Sequence, residues 1–206
     1  MKMTKIALAA VLAMGATVAN AAGAYVELGL GSVDGNSTTT PAIPATSSVS
    51  RDTALSIGLG YKLNDRFGLE AGYSNAGSGS ATSTFTAAFG ARSAGDVVRG
   101  DSNVSAFYFG GNVTFPLTDK IDVIGRAGLS NWEVEYSGVT LNGTAIATPA
   151  SIDGSDPYYG LGIAYKLNDQ MSLGFGWMRQ EASYSVNGYS TKSEIDITSA
   201  NLRYNF

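Results

Sequence analysis

The sequence predicts an all-β fold in which eight antiparallel strands close into a barrel with its apolar face turned outward. Three observations carry this. Large apolar residues recur at every second position along most of the chain, which is the period of a strand and not of a helix. Very short turns alternate with long connections rich in Ser, Thr, Gly and Ala. The residues collected on the apolar face include no charge at all.

Residues 1–21 stand apart from the pattern. Lys2 and Lys5 precede an apolar run over 6–18, and Ala19-Asn20-Ala21 supplies the small-x-small pattern of a cleavage site, so this stretch reads as a secretory signal peptide. The run is well short of the ~20 residues that a spanning helix needs. Ala22-Gly23-Ala24 offers a second cleavage pattern a few residues on. The barrel domain is then 22–206.

Period-two alternation is clearest in 55–63, 67–73, 159–167 and 171–177; in Leu55-Ser56-Ile57-Gly58-Leu59-Gly60-Tyr61, for instance, every large apolar residue falls on one face. Eight strands follow, at about 23–31, 53–63, 67–74, 103–115, 121–136, 157–167, 171–185 and 191–206. Tyr61-Lys62-Leu63-Asn64-Asp65 and Tyr165-Lys166-Leu167-Asn168-Asp169 are a partial internal repeat. Asn-Asp between two alternating runs predicts a tight hairpin, since both residues tolerate left-handed backbone. Residues 116–120 form a third such turn, while 32–51, 75–102, 137–157 and the shorter 186–190 read as polar loops.

Alternation alone fits a soluble barrel with an apolar core as well as a barrel in lipid. Composition separates them. Val26, Leu28, Leu30, Leu55, Ile57, Leu59, Leu69, Phe107, Phe109, Val113, Val123, Leu129, Leu161, Ile163, Leu173, Phe175, Ala200 and Leu202 form an uncharged face opposite one of Gly, Ser, Ala and Asn with a few charges, which suits a crowded interior. Aromatic residues gather near strand ends on the apolar face. Tyr61, Phe67, Phe115, Tyr165, Tyr204 and Phe206 lie toward one end and Tyr73, Tyr159 and Trp177 toward the other, as interfacial girdles do.

Composition also narrows function. Without Lys2 and Lys5, eleven basic residues face seventeen acidic ones, a net charge of −6 that argues against a nucleic-acid partner. Cys is absent, which removes disulfides and Cys-based metal sites. His is absent too, so the usual general base and commonest metal ligand are missing. No cofactor, metal or catalytic residue is expected.

The signal peptide, the eight-strand rhythm and the ending Ala200-Asn201-Leu202-Arg203-Tyr204-Asn205-Phe206 resemble the small outer-membrane barrels that include the OmpA transmembrane domain and OmpX. The resemblance implies a bacterial outer-membrane location, periplasmic termini, extracellular long loops and a monomer among outer-membrane lipids and lipopolysaccharide. Leu202, Tyr204 and Phe206 resemble the terminal signal read by the barrel-assembly machinery. Barrel enzymes of related kind rely on a His that this chain lacks. Paired acids are present in Glu133 and Glu135 and in Asp153 and Asp156, expected at the exterior rim as solvated or cation-binding groups.

Inward-facing charges must be paired or hydrated. Glu27 on the first strand should meet Arg203 on the last, and Glu70 and Arg126 sit at similar heights, so these four are the candidate lumen cluster. The expected role is structural, a polar plug that leaves the protein a structural or surface-exposed function; a gated path for ions or small solutes is the alternative. An apolar lumen, as a hydrophobic-solute channel would need, is not expected. Loop-mediated adhesion is a third reading, with Phe85 and Phe89 folding back on the rim.

Overall fold

The computed structural model describes residues 23–40, 42, 45–51, 53–147, 151–186 and 189–206. The signal-peptide reading falls outside them. The described residues form ten strands: β1 (Ala24–Thr40), β2 (Ala45–Arg51), β3 (Thr53–Lys62), β4 (Phe67–Phe85), β5 (Val97–Pro116), β6 (Ile121–Leu141), β7 (Thr144–Ala147), β8 (Ser151–Lys166), β9 (Met171–Val186) and β10 (Tyr189–Asn205). Eight of them close a ring in the order β1, β3, β4, β5, β6, β8, β9, β10, with every neighbouring pair antiparallel. Strand β2 pairs with β4 above the end of β3, and β7 pairs with β6. The ring shuts along β1 and β10, in register from Tyr25 opposite Asn205 to Thr40 opposite Ser190.

The short turns use side-chain oxygens. Asn64 Oδ1 accepts the amides of Arg66 and Phe67, both at 2.9 Å, and Asn168 Oδ1 accepts those of Gln170 and Met171 at 2.9 and 2.7 Å. Thr118 Oγ1 serves Lys120 and Ile121 in the third turn. The expected left-handed backbone does not occur at Asn64, Asp65, Asn168 or Asp169. Among the described residues the one non-glycine with positive φ is Asn142 (φ 48°), beside Gly143 (φ 83°), where an Asn-Gly pair makes the β6–β7 turn.

The long connections are mostly strand. Residues 32–40, 75–85, 97–102, 137–141 and 151–156, read from sequence as loop, extend the hairpins beyond the apolar belt. They escape a search for apolar-out alternation because the pattern there changes phase. In β10, Leu202 and Ala200 face outward, but above them it is Ile197 and Ile195 that are buried inside while Asp196 and Glu194 point out. The same inversion separates Leu129 from Trp132 and Val134 in β6, and Leu30 from Val33 in β1. Below the inversion the wall is apolar outside, with Leu28, Leu30, Leu55, Leu161 and Phe175 half or more exposed. Above it the barrel is built like a soluble one.

The tip of the longest hairpin is tied down. Asn142 Nδ2 donates to Asp96 Oδ1 at 2.9 Å, and Asn142 Oδ1 accepts the Val97 amide at 2.9 Å. The Ser93 amide and then Asn142 hold the Asp96 carboxyl below the ordinary carboxylate range. Phe85 and Phe89 stack on each other there, with centroids 6.4 Å apart, at the distal end of β4. The rim position expected for them is not where they lie: β4 carries Phe85 eleven residues past Ser74, roughly 35 Å along a strand.

Glycines on the inner face make room for rings. A Cβ on Gly60 would lie inside the Tyr25 ring, one on Gly72 inside Tyr108, one on Gly128 against Tyr158 and one on Gly154 against Trp132. A Gly72→Val substitution is expected to lower stability by about 1–3 kcal/mol through overpacking, while Gly138→Val, where nothing lies within 4 Å of the new Cβ, stays near neutral. Urea titrations of the two variants in micelles, followed by gel mobility, would check the contrast.

Candidate functional site

Among the described residues the lumen holds charged side chains away from water, and it is built in tiers. At the short-turn end Lys166 Nζ meets Asp122 Oδ1 at 2.9 Å, beside a vestibule of about 410 Å³ lined in part by Lys62, Asn112 and Arg203. Above it lies the charged tier. Glu27 and Arg203 are direct partners across the closing seam, and Arg203 Nε donates to Glu27 Oε2 at 2.9 Å. Arg126 reaches the other carboxylate oxygen, Nη2 to Oε1 at 3.1 Å. One acid therefore holds two guanidinium groups.

Glu70 departs from expectation. Its recorded hydrogen bonds go to neutral groups: Tyr158 donates its hydroxyl to Oε1 at 3.0 Å and Asn112 Nδ2 donates to Oε2 at 3.1 Å. Asn112 also donates to the Tyr25 hydroxyl at 2.8 Å, and the Arg203 guanidinium lies 4.1 Å over the Tyr25 ring. A continuous network thus runs Glu70, Asn112, Tyr25, Arg203, Glu27, Arg126, with the Tyr108 and Tyr158 rings 5.4 Å apart beside it. The four charged residues share one tier, but Arg126 chooses Glu27 as its hydrogen-bonded partner over Glu70.

Above the charges, Ser74 and Gln180 exchange hydrogen bonds across the lumen at 3.0 and 3.3 Å. The next tier is apolar: Val33, Ala54, Ala76, Val104, Ala106, Trp132, Val134, Ala182, Ile195 and Ile197 are all buried together. The expected polar plug thus fills one part of the lumen, and an apolar tier fills another. Tyr25 and Tyr158 in the charged tier and Trp132 in the apolar one are lumen fillers that the inward charges alone do not reveal. Each carries a signal in retrospect, an aromatic residue on the inward parity of its strand near a glycine on a neighbouring one.

The rim acids divide. Asp156 points inward, where its Oδ2 accepts from Trp132 Nε1 at 2.8 Å and from the Ser183 amide at 2.9 Å. It does so where the β8–β9 ladder stops, at Tyr158 opposite Gln180, next to Pro157, which has no amide proton to give. Glu133 faces Asp153 directly across β6 and β8. Among the described residues no group of three or more acids, His or Cys is placed to hold a metal ion. On the outer face of the last strand Leu202 and Phe206 are exposed, and the Tyr204 and Phe206 rings meet edge-on at 5.1 Å.

An apolar outer belt around a lumen of ion pairs and rings defines a transmembrane β-barrel. The chain belongs to the outer membrane protein beta-barrel domain family, whose model matches residues 5–206, and its place is the bacterial outer membrane. No curated protein sequence matches it. Its fold is similar to that of Neisserial surface protein A, at a TM-score of 0.57 and 14% identity over 90% of this chain and 98% of that one. It is also similar to OprG from Pseudomonas aeruginosa, at 0.55 and 12% over 90% and 97%. The outer membrane protease OmpT from Escherichia coli matches at 0.52 and 11% over 89% and 96%. These likenesses are of fold.

Removing the shared acid leaves two guanidinium groups facing each other in a closed lumen, and breaking a buried pair on one side costs ~3–5 kcal/mol. Glu27→Ala should therefore lower the urea midpoint far more than Lys166→Ala, whose side chain is 42% exposed. Equal shifts in the two titrations would contradict this account of the tier.

Proposed function

We propose that the protein is a sealed outer-membrane barrel whose work is done at its surface, with both termini periplasmic and the long hairpins outside. One observation carries the reading: among the described residues, the cavity lined by Glu27, Tyr108, Arg126 and Arg203 encloses only about 40 Å³. That is room for a water or two and not for a path. The apolar tier above is a second seal of a different kind, since a hydrated ion gains nothing there to replace its water.

Outside, the strands extend well past the apolar belt, and above the inversion the outer face carries Asp34, Glu181, Glu194 and Asp196 with Arg179 and Lys192. Arg179 bridges Asp196 at 2.7 Å and Glu194 at 2.8 Å, and Lys192 pairs with Glu181 at 3.0 Å. Such a band suits the lipopolysaccharide headgroup zone, and the ring of strands gives no edge that calls for a second copy, so a monomer among lipids is the fitting state. The exposed alternation of Leu202, Tyr204 and Phe206 suits recognition by the barrel-assembly machinery. The chain has no His, the residue on which barrel enzymes of related kind rely, which supports a non-enzymatic role.

Planar bilayers test the seal. The wild-type protein should give no stepwise conductance, and Arg126→Ala should leave the traces unchanged, because the apolar tier still closes the lumen. Stepwise conductance in the wild type that Arg126→Ala alters would favour the gated path, in which Arg126 exchanges Glu27 for Glu70. Incubation with labelled lipid A and phospholipid should yield no product.

A further inference from the structure

The vestibule at the hairpin end has a composition that the seal does not require. It encloses about 460 Å³, within the ~300–1,000 Å³ range of small-molecule pockets. Among the described residues its lining contains no Asp, Glu, Lys or Arg, although charged residues crowd the outer face at the same height. Tyr136 on β6 and Tyr184 on β9 line it, with the Trp132 ring 6.4 Å from Tyr184 beneath them. Hydroxyls from four other strands complete it, among them Ser37 and Thr39 of β1, Ser102 of β5, and Thr191 and Ser193 of β10. Val104, Val134 and Ile195 form the floor.

This combination selects a ligand by elimination. An ion would find no counter-charge and would lose its hydration in front of an apolar floor. A purely apolar solute would strand the hydroxyls, whose only recorded partners in the β1–β10 wall are each other, Ser37 with Ser193 at 2.8 Å and Thr39 with Thr191 at 3.1 Å. Each of these hydroxyls keeps further donor or acceptor capacity toward the cavity. A molecule carrying hydroxyl groups on a ring with apolar C–H faces satisfies both walls at once. We infer that the vestibule is a binding site for a neutral saccharide of one or two rings, stacked against Tyr136 and Tyr184 and hydrogen-bonded to the Ser and Thr side chains of β1, β5 and β10. The charged tier below would hold the sugar without letting it through, so the site is one of capture and not of transport.

The inference deepens the sealed-barrel reading and rests on it for the side from which the sugar arrives and for capture over transport, but not for binding itself, so its test is a binding measurement in micelles, where sidedness plays no part. The chain has two Trp, and Trp177→Phe leaves Trp132 as the sole indole reporter under the cavity. The protein is refolded in an amine-oxide detergent, since a glycoside detergent would itself compete, and titrated with maltose, sucrose and glucose 6-phosphate, with calorimetry on the same samples. Saturable heat and a change in Trp132 emission are expected with at least one disaccharide, at least tenfold weaker with the phosphate. Tyr184→Ser should weaken binding about tenfold by removing a stacking face, and Ser102→Phe or Ser193→Phe, whichever keeps heat-modifiable gel mobility, should abolish it. No saturable heat with either disaccharide would overturn the proposal, as would binding that survives the filled cavity. Conductance failing or appearing in bilayers leaves this result untouched, so the two readings fall separately.

Discussion

An eight-stranded ring encloses a space that side chains alone can fill. In lipid the ring cannot open, because an unpaired strand edge would leave amide and carbonyl groups without partners. The lumen must therefore be packed from the inside under a fixed diameter. The answer here is the interlock of ring and glycine: Tyr25 over Gly60, Tyr108 over Gly72, Tyr158 over Gly128 and Trp132 over Gly154. Each ring occupies volume that a neighbouring strand gives up. The hydroxyls of Tyr25 and Tyr158 then become the partners that let Asn112 and Glu70 sit buried.

The charged tier and the apolar tier do different work on this frame. A buried ion pair is weak evidence of net stability, because desolvating the charges offsets most of their attraction. What Glu27, Arg126 and Arg203 supply is register: the two-fold hold of one carboxylate by β6 and β10 fits only when β1 and β10 close as they do. Burial above the inversion is where the favourable free energy lies. Ile195, Ile197, Val104 and Val134 are each less than a tenth exposed, and a fully buried residue of this kind contributes roughly 1.5–3 kcal/mol. The upper half can therefore stand as ordered β-structure beyond the membrane, where lipid no longer supports it.

The phase inversion also sets the boundary of the membrane. Where the apolar residues move from the outer face to the inner, between Leu129 and Trp132 or between Ala200 and Ile197, the surroundings change from hydrocarbon to water. Tyr159 and Trp177 stand just below that level with rings 5.8 Å apart, and Arg179, 5.6 Å from the Trp177 ring, marks the first charge above it. Girdle, inversion and charge band agree on one height.

By itself the sequence determined that this is a barrel of eight strands with an uncharged outer belt, because alternation, turn spacing and the exclusion of charge from one face are local properties that survive being read along a line. It also placed Glu27 against Arg203, since closing an even ring forces the first strand onto the last. Tertiary structure alone decided that Arg126 bonds to Glu27 and that Glu70 turns to Tyr158 and Asn112, because partners across a lumen depend on strand stagger and ring packing from several strands at once. It decided as well that the Ser- and Thr-rich connections are strand, since their ladders are written in backbone pairing, and that the inner face turns apolar there. In this chain the outer face answers to the solvent, which composition reveals, whereas the inner face answers to the opposite wall, which only the closed ring supplies.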